Sequence, residues 1–503
     1  MTLLPPRYPQ ATAQFDGLVR SLLTADQFDD WLPDALYYED QRNEIASLLA
    51  RVQTLWKSES IADPPVETLQ LHRTGGATLP ALVLPLDLRL VAHGVIAALA
   101  PRISTALPRD KIYGFRFLRG APAFDQPGAE LDKLFDVVAE AARAAANDSF
   151  QVLDIDSFAR SANPKTFAET LQQCGARPEE SYFLRDVAKL GGSGLASVDD
   201  AFAFAYNFYL QPVDRGLMTQ KHNFFRYRDE YFVFDDRARQ SVTTNVQSLG
   251  LRIRDRGKSR PIASTMDNLK LQLDDDTKEA EGKLIELPYG TLWAKVECED
   301  IGEECSDIAE QITFRALTLG ALFRVSAEQP LDAVTVLPQL RYFHKERRAG
   351  VLLAPPFAAA NAQVRAHQRS LSSHRAWLAK VAGIGLQARA SWQAGWAATL
   401  LSDIGMLTDA EAATLVDMVS SPVIDESSKT QARIALARSS NIAADRFWTT
   451  AVPRTEYRRR GMLLAARHLA RRNPGPWNAL VQAVGKREPE LVRHLQAGIR
   501  VTT

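Results

Sequence analysis

The pattern of hydrophobic residues changes at Pro355-Pro356, and this change constrains the fold more than any other feature of the chain. Between about residue 66 and residue 340, helical segments alternate with short runs typical of strands, such as LPALVLPL, FQVLDIDSF and NFFRYRDEYFVF. After the two prolines the sequence is rich in Ala, Leu and Arg and has a helical period only. The sequence therefore predicts an α+β region followed by an all-α region.

These patterns divide the 503 residues into three predicted parts. An N-terminal helical segment covers residues 1–65 and ends at Asp63-Pro64-Pro65. Residues 66–345 form the mixed part, and residues 346–503 form a basic helical domain. Helices of about 12–18 residues separated by short turns favour stacked helix pairs of the HEAT type. An irregular helical bundle fits the same pattern.

The composition is that of a globular protein, with 46% hydrophobic and 24% charged residues, and it excludes a disordered or collagen-like chain. The three cysteines form no CxxC pair, which argues against a zinc cluster or a disulfide framework. No run approaches the ~18 apolar residues of a membrane span. The start, MTLLPPRYPQ, lacks the pattern of a signal peptide. We therefore expect a cytoplasmic protein without a membrane partner.

The net charge of zero conceals an asymmetry between the two ends of the chain. Residues 341–503 contain 24 Lys and Arg against 11 Asp and Glu, whereas residues 1–340 contain 36 against 49. Arg458–Arg460 and Arg471-Arg472 lie near Trp477 in the sequence, and cationic groups beside aromatic rings suit single-stranded nucleic acid. Two alternatives stay open: attraction between the two halves of the protein, and a solvated helix face.

Carboxylates stand where strand-like segments of the mixed part end. Asp154 follows an apolar run, and the pair Asp229-Glu230 separates FFRY from YFVF, a pattern typical of a β-hairpin with acidic residues at its tip. Hard cations such as Mg²⁺ prefer carboxylate oxygens, and two such ions can activate a hydroxyl nucleophile and stabilise a leaving pyrophosphate. The alternative is that these acids only mark the solvent-exposed ends of strands.

Residues 66–265 resemble a reverse transcriptase, because six segments occur in the order of that family. The segments are Leu84–Val91 leading to Gly114-Phe115-Arg116, LDIDSF, Gly194–Asp214, RYRDE, Leu249–Ile253 and the following Lys258. The resemblance implies a right-hand fingers and palm fold with a polymerase activity that depends on Mg²⁺ or Mn²⁺. It also implies that Asp154, Asp229 and Glu230 hold the metal.

The resemblance assigns roles to basic residues as well. Arg73 and Arg116 would bind the triphosphate, and Lys258 would protonate the leaving pyrophosphate. Leu79 falls near the position where the family has a second arginine. Arg89 and Arg116 are the candidates to compensate, because guanidinium groups bind phosphates through two hydrogen bonds.

Three positions depart from the family pattern. Glu230 replaces the second aspartate of the usual tip, and Ala196 replaces the proline that usually opens the template-gripping helix. Ala159 stands where the family has an aromatic residue that blocks a ribose 2′-hydroxyl, with Phe158 beside it. These departures leave template use and sugar selection open.

With its helical C-terminal part, the chain is most similar to the abortive-infection and other defence-associated reverse transcriptases of bacteria, the AbiK-like group. That similarity implies antiphage defence, dNTPs as substrates, and DNA or RNA as a partner. Synthesis would be templated, protein-primed or non-templated, and the chain would act alone, as a homo-oligomer or with a partner polymerase. The alternatives are a catalytically degenerate relative that binds nucleic acid or a partner polymerase, and a plain helical scaffold.

Some relatives use a tyrosine hydroxyl as primer, and Tyr457 is the candidate for this role. It lies among arginines in the segment PRTEYRRR, where the positive charge would attract a growing polyanion. The alternative is a tyrosine packed between helices.

Overall fold

The computed structural model describes residues 39–57, 60–72, 78–117, 149–255 and 375–500, most of these ranges with short gaps, and a few short pieces elsewhere. Arg73 and Lys258, to which the resemblance assigns roles, lie outside the described residues.

The chain forms two compact units, each built from segments that are distant in sequence. The sheet unit is drawn from Met1–Asp29, Ala46–Pro64 and Leu79–Ala316. The helical unit is drawn from Asp30–Ile45, Pro65–Thr78 and Leu317–Thr503. The three-part division made from the sequence stays a prediction.

The described residues form twelve strands and sixteen α-helices. The strands are β1 (Thr2–Leu3), β2 (Ser60–Ile61), β3 (Glu67–His72), β4 (Thr78–Val83), β5 (Ile112–Tyr113), β6 (Arg116–Phe117), β7 (Phe124–Asp125), β8 (Ser149–Ile155), β9 (Phe224–Tyr227), β10 (Glu230–Val233), β11 (Ile253–Asp255) and β12 (Arg260–Pro261). The α-helices are α1 (Glu39–Arg42), α2 (Ile45–Lys57), α3 (Leu86–Ile103), α4 (Phe158–Ser161), α5 (Pro164–Gln173), α6 (Pro178–Ala188), α7 (Asp200–Tyr206), α8 (Gln211–Thr219), α9 (Asp236–Ser248), α10 (Arg375–Ile384), α11 (Ser391–Ile404), α12 (Asp409–Ser420), α13 (Glu426–Ser439), α14 (Glu456–Leu469), α15 (Gly475–Val484) and α16 (Pro489–Arg500). This helix-rich mixture with small sheets confirms the predicted α+β class.

The main sheet of the sheet unit has the strand order β11-β8-β10-β9-β5, and β12 also pairs with β8. Strand β8 is antiparallel to β10 and β11, while β5 runs parallel to β9. Strands β9 and β10 form the hairpin that the sequence predicts, joined by Arg228 and Asp229.

Side-chain alternation gives this sheet two buried faces. Leu153, Arg226 and Tyr231 are neighbours by register on one face, the α8 face, where Asp214 of α8 bonds both Arg226 and Tyr231. The opposite face carries an apolar cluster of Tyr113, Leu134, Val138, Phe150, Phe225, Tyr227 and Phe232. Burying one such side chain stabilises the fold by at most about 1.5–3 kcal/mol. A shift in strand register would expose several of them, so their burial favours the observed register.

Helices of the sheet unit begin at residues that suit a helix N-terminus. Asp235 accepts a hydrogen bond from the Ala238 N–H at 2.8 Å and caps α9, which packs beside α8 on the sheet. Asp199 caps α7 in the same way, through the Phe202 N–H at 3.0 Å.

From α10 to α16, the helical unit packs each helix against others that are next or next but one in sequence. Helix α11 packs against α10 and α13, α13 against α12 and α14, and α14 against α15 and α16. Gly461 allows α14 to approach α13 closely, because a Cβ atom there would lie 2.4 Å from Thr430 Cγ2. Along the described ranges, none of the helices has both the length and the apolar character needed to cross a membrane.

The loop before α7 depends on a glycine. Gly194 has φ +72°, and a Cβ atom on it would lie 2.1 Å from the Ala159 carbonyl oxygen. We predict that Gly194→Ala lowers the free energy of unfolding by about 3 kcal/mol, because backbone strain and a backbone clash add together. Gly250→Ala is the matched control: φ is +76° but nothing lies within 4 Å, so it should cost about 1–2 kcal/mol. Urea unfolding measures both, and equal losses would contradict the proposed clash.

Candidate active site

Two of the predicted carboxylates are direct neighbours in the sheet. Glu230, the first residue of β10, is the register partner of Asp154 near the end of β8. Opposite residues of an antiparallel pair lie on one face with Cβ atoms about 5 Å apart. Asp154 is half-buried, whereas Glu230 is only 9% exposed. Two negative charges in this position repel each other, and a bound cation would relieve that repulsion.

The third carboxylate, Asp229, lies in the turn next to this pair. Its carbonyl oxygen accepts a hydrogen bond from the Ile155 N–H at 3.1 Å, which ties the hairpin turn to the end of β8. Arg228 before it has φ +50°, a conformation that favours glycine, and its guanidinium lies 4.6 Å from the Phe115 ring centroid. Described residues contain no group of three or more His, Cys, Asp or Glu side chains arranged as a metal site.

A buried ion pair lies beneath the turn. Arg226 Nε donates to Asp214 Oδ1 at 2.9 Å and Nη2 donates to Oδ2 at 2.8 Å, and both side chains are 0% exposed. The Tyr231 hydroxyl donates to Asp214 Oδ1 at 2.9 Å. Burial raises the pKa of Asp214, whereas the Arg226 charge and the two hydrogen-bond donors oppose that rise. In the sequence, Asp214 is identified only as the last residue of the Gly194–Asp214 segment. The signal that could have indicated a buried ion pair is Arg226, a charged residue within an apolar strand.

The segment after Asp154 contacts the loop before α7. Ser157, with φ +50°, leads into α4. The Ala159 carbonyl oxygen accepts a hydrogen bond from the Leu195 N–H at 2.6 Å, and Ala159 itself is half-buried. The structure thus brings together two segments that the resemblance places around an incoming nucleotide.

The predicted phosphate-binding arginines that the structure describes are buried inside the protein. Arg116 is 8% exposed and its Nη1 donates to the Leu107 carbonyl oxygen at 3.0 Å. Arg89 is 3% exposed, and its Nε lies 3.5 Å from Asp199 Oδ2, beside His93. Burial favours the neutral form of Asp199, but His93 and Arg89 outweigh it and hold the pKa of that carboxyl below its usual range. The Arg89 guanidinium thus faces Asp199 inside the protein, and its compensation for a missing phosphate ligand stays a prediction.

Three arginines near the start of α14 form ion pairs within the helical unit, and two of them are buried. Arg458 bonds Glu67 at 2.5 and 2.8 Å, and Arg460 bonds both oxygens of Asp40 at 2.8 Å. Arg459 Nε donates to Glu488 at 2.8 Å. Three arginines of the predicted cluster are thus engaged with carboxylates, and nucleic-acid binding by this cluster stays a prediction.

Tyr457 lies at the start of α14, next to these ion pairs. It is half-buried, and its hydroxyl accepts a hydrogen bond from Gln431 Nε2 of α13. The structure thus shows a tyrosine packed between helices with its hydroxyl engaged, and the priming role stays a prediction.

Glu67 joins three segments of the helical unit and should be critical for its stability. Its carboxylate accepts hydrogen bonds from Ser427, Thr455 and Arg458. We predict that Glu67→Gln lowers the free energy of unfolding by about 2 kcal/mol, because the buried Glu67 loses its charge and the half-buried Arg458 is left without its counter-charge. Glu44→Gln, which breaks an exposed pair with Arg493, should cost less than about 1 kcal/mol. Thermal and urea unfolding compare the two variants, and a similar loss in both would contradict this role of Glu67.

The sequence was compared with known proteins. No protein-family model matches the chain, and no curated protein is similar enough to count as a match.

Proposed function

We propose that the protein is a nucleotidyltransferase of reverse-transcriptase type that polymerises nucleotides with the help of Mg²⁺ or Mn²⁺. The observation that carries this proposal is the pairing of Asp154 with Glu230, with Asp229 in the adjoining turn. Carboxylates from a strand and from a neighbouring hairpin are the donors such ions prefer. The antiparallel sheet with α8 and α9 packed together beside it is compatible with a polymerase palm.

The proposed metal ligands are Asp154, Asp229 and Glu230. When bound, the ions would supply charge stabilisation for the transferred phosphoryl group. The chain contributes the rest: the turn hydrogen bond to Ile155 holds the backbone of Asp229 beside the end of β8. Ala159 would leave room for a ribose 2′-hydroxyl, so we expect weak discrimination between dNTPs and rNTPs.

Other parts of the chain have proposed roles in binding. Arg73 would bind the triphosphate, and Lys258 would protonate the leaving pyrophosphate. Arg116 would bind the triphosphate only after its hydrogen bond to the Leu107 carbonyl oxygen breaks. The packing of α10–α16 between helices close in sequence is compatible with a HEAT-like arrangement. Antiphage defence, DNA or RNA as partner and a partner polymerase or second copy remain parts of this proposal.

A second candidate function is a degenerate palm that binds nucleic acid or a partner polymerase without catalysis. The burial of Arg89 and Arg116 favours it, because both potential phosphate ligands are engaged inside the protein.

Substitution of the carboxylates tests the catalytic proposal. We predict that Asp154→Asn and Asp229→Asn each reduce incorporation of labelled dNTPs at least about 100-fold, because each removes a charge needed at the metal site. Asp156→Asn is the matched control, since Asp156 is exposed and its N–H bonds the Arg252 carbonyl oxygen. It should retain activity, and circular dichroism should show that all three variants fold.

Near-normal incorporation by Asp229→Asn would refute the assignment of the metal site. Absence of incorporation in the wild type with every primer and template, combined with nucleic-acid binding, would support the second candidate function instead.

Priming is tested on the same purified protein. If Tyr457 is the primer, Tyr457→Phe removes a covalent nucleic-acid adduct from the intact mass and leaves extension of an added primer unchanged. Gln431→Ala is the control, because it removes the partner of the hydroxyl but keeps the hydroxyl. An adduct that persists in Tyr457→Phe excludes this residue as primer.

A further inference from the structure

The guanidinium of Arg226 links three elements of the sheet unit. Besides its bonds to Asp214, its Nη1 donates to the Arg228 carbonyl oxygen at 2.5 Å and its Nη2 to the Asn207 carbonyl oxygen at 3.0 Å. One fully buried side chain therefore links α8, the 3₁₀ turn Asn207–Leu210 and the hairpin turn.

The Arg228 carbonyl belongs to the peptide bond that carries Asp229. Arg228 has φ +50°, a conformation that a residue with a side chain adopts only when its surroundings impose it. The bond from Arg226 holds this peptide on one side, and the bond from the Ile155 N–H to the Asp229 carbonyl holds the next one. The backbone on both sides of Asp229 is thus fixed from the protein interior.

Electrostatics point the same way. Burial lowers the pKa of Arg226, but Asp214, Tyr231 and Asp229 together outweigh that effect and raise it. The guanidinium therefore interacts electrostatically with Asp229, and it also forms a hydrogen bond to the carbonyl group of the preceding residue.

We propose that Asp214, Arg226 and Tyr231 are positioning residues that fix the turn so that Asp229 can serve as a metal carboxylate. Asp214 orients the guanidinium, Tyr231 orients Asp214, and the guanidinium holds the turn. This inference rests on the proposed function for its catalytic meaning, although the positioning itself is a property of the fold.

The variant Arg226→Lys separates positioning from charge. An ammonium group can pair with Asp214, but it lacks the planar fork that bonds Asp214, the Asn207 carbonyl and the Arg228 carbonyl at once. Tyr231→Phe removes one hydrogen bond to Asp214 and leaves the guanidinium in place. The matched control is Glu180→Gln, which weakens another ion pair of the sheet unit: Glu180 bonds Arg102 and the Arg177 N–H.

Two measurements on the full-length protein test the proposal. In hydrogen–deuterium exchange, amides within residues 224–233 should exchange at least about tenfold faster in Arg226→Lys than in Glu180→Gln, and Tyr231→Phe should be intermediate. In nucleotide incorporation, Arg226→Lys should lower kcat by about 100-fold, raise the Mg²⁺ concentration needed for half-maximal rate, and leave the KM for dNTP within about threefold. Glu180→Gln should change neither the kcat nor the Mg²⁺ dependence.

Equal exchange at residues 224–233 in Arg226→Lys and Glu180→Gln would overturn the proposal. Faster exchange with an unchanged kcat would overturn its catalytic part. If the wild-type protein incorporates no nucleotide at all, the proposed function fails, and the exchange experiment alone decides whether Arg226 fixes the turn.

Discussion

The antiparallel pairing of β8 with β10 is the interaction on which the candidate site depends. It makes Asp154 and Glu230 neighbours on one face, and a slip of one residue would send one of them to the other face. The register is held by large side chains on both faces: Phe150 stacks on Phe232 on one, while Tyr231 is buried on the other. The place of the two carboxylates therefore depends on hydrophobic burial of residues that take no part in the proposed chemistry.

Buried ion pairs join distant parts of the chain within each unit. Arg226 and Asp214 tie the hairpin to α8, while Arg458 with Glu67 and Arg460 with Asp40 span 391 and 420 residues of sequence. Such pairs add little net stability, but loss of one partner leaves a desolvated charge, so they select one arrangement of the segments. Several arginines that suggested a polyanion partner are used in this way.

Local elements could be predicted well from particular residues. The runs FFRY and YFVF with an acidic pair between them indicated the hairpin, and the apolar run before Asp154 indicated β8. The environments of Arg89 and Arg116 could not be predicted, because residue type gives a charge and a reach but not the carboxylate or carbonyl group that meets it in the fold.

The sequence by itself determined the α+β class, the helices within residues 375–500, and the residue types available at the hairpin, because these depend on periodicity and on local backbone preference. Only the tertiary structure decided that Asp154 faces Glu230, that Arg226 holds the peptide before Asp229, and that the arginines of α14 bond Glu67, Asp40 and Glu488. Most of those contacts join residues far apart in the chain, and their formation depends on which apolar surfaces pack together, which no local pattern specifies.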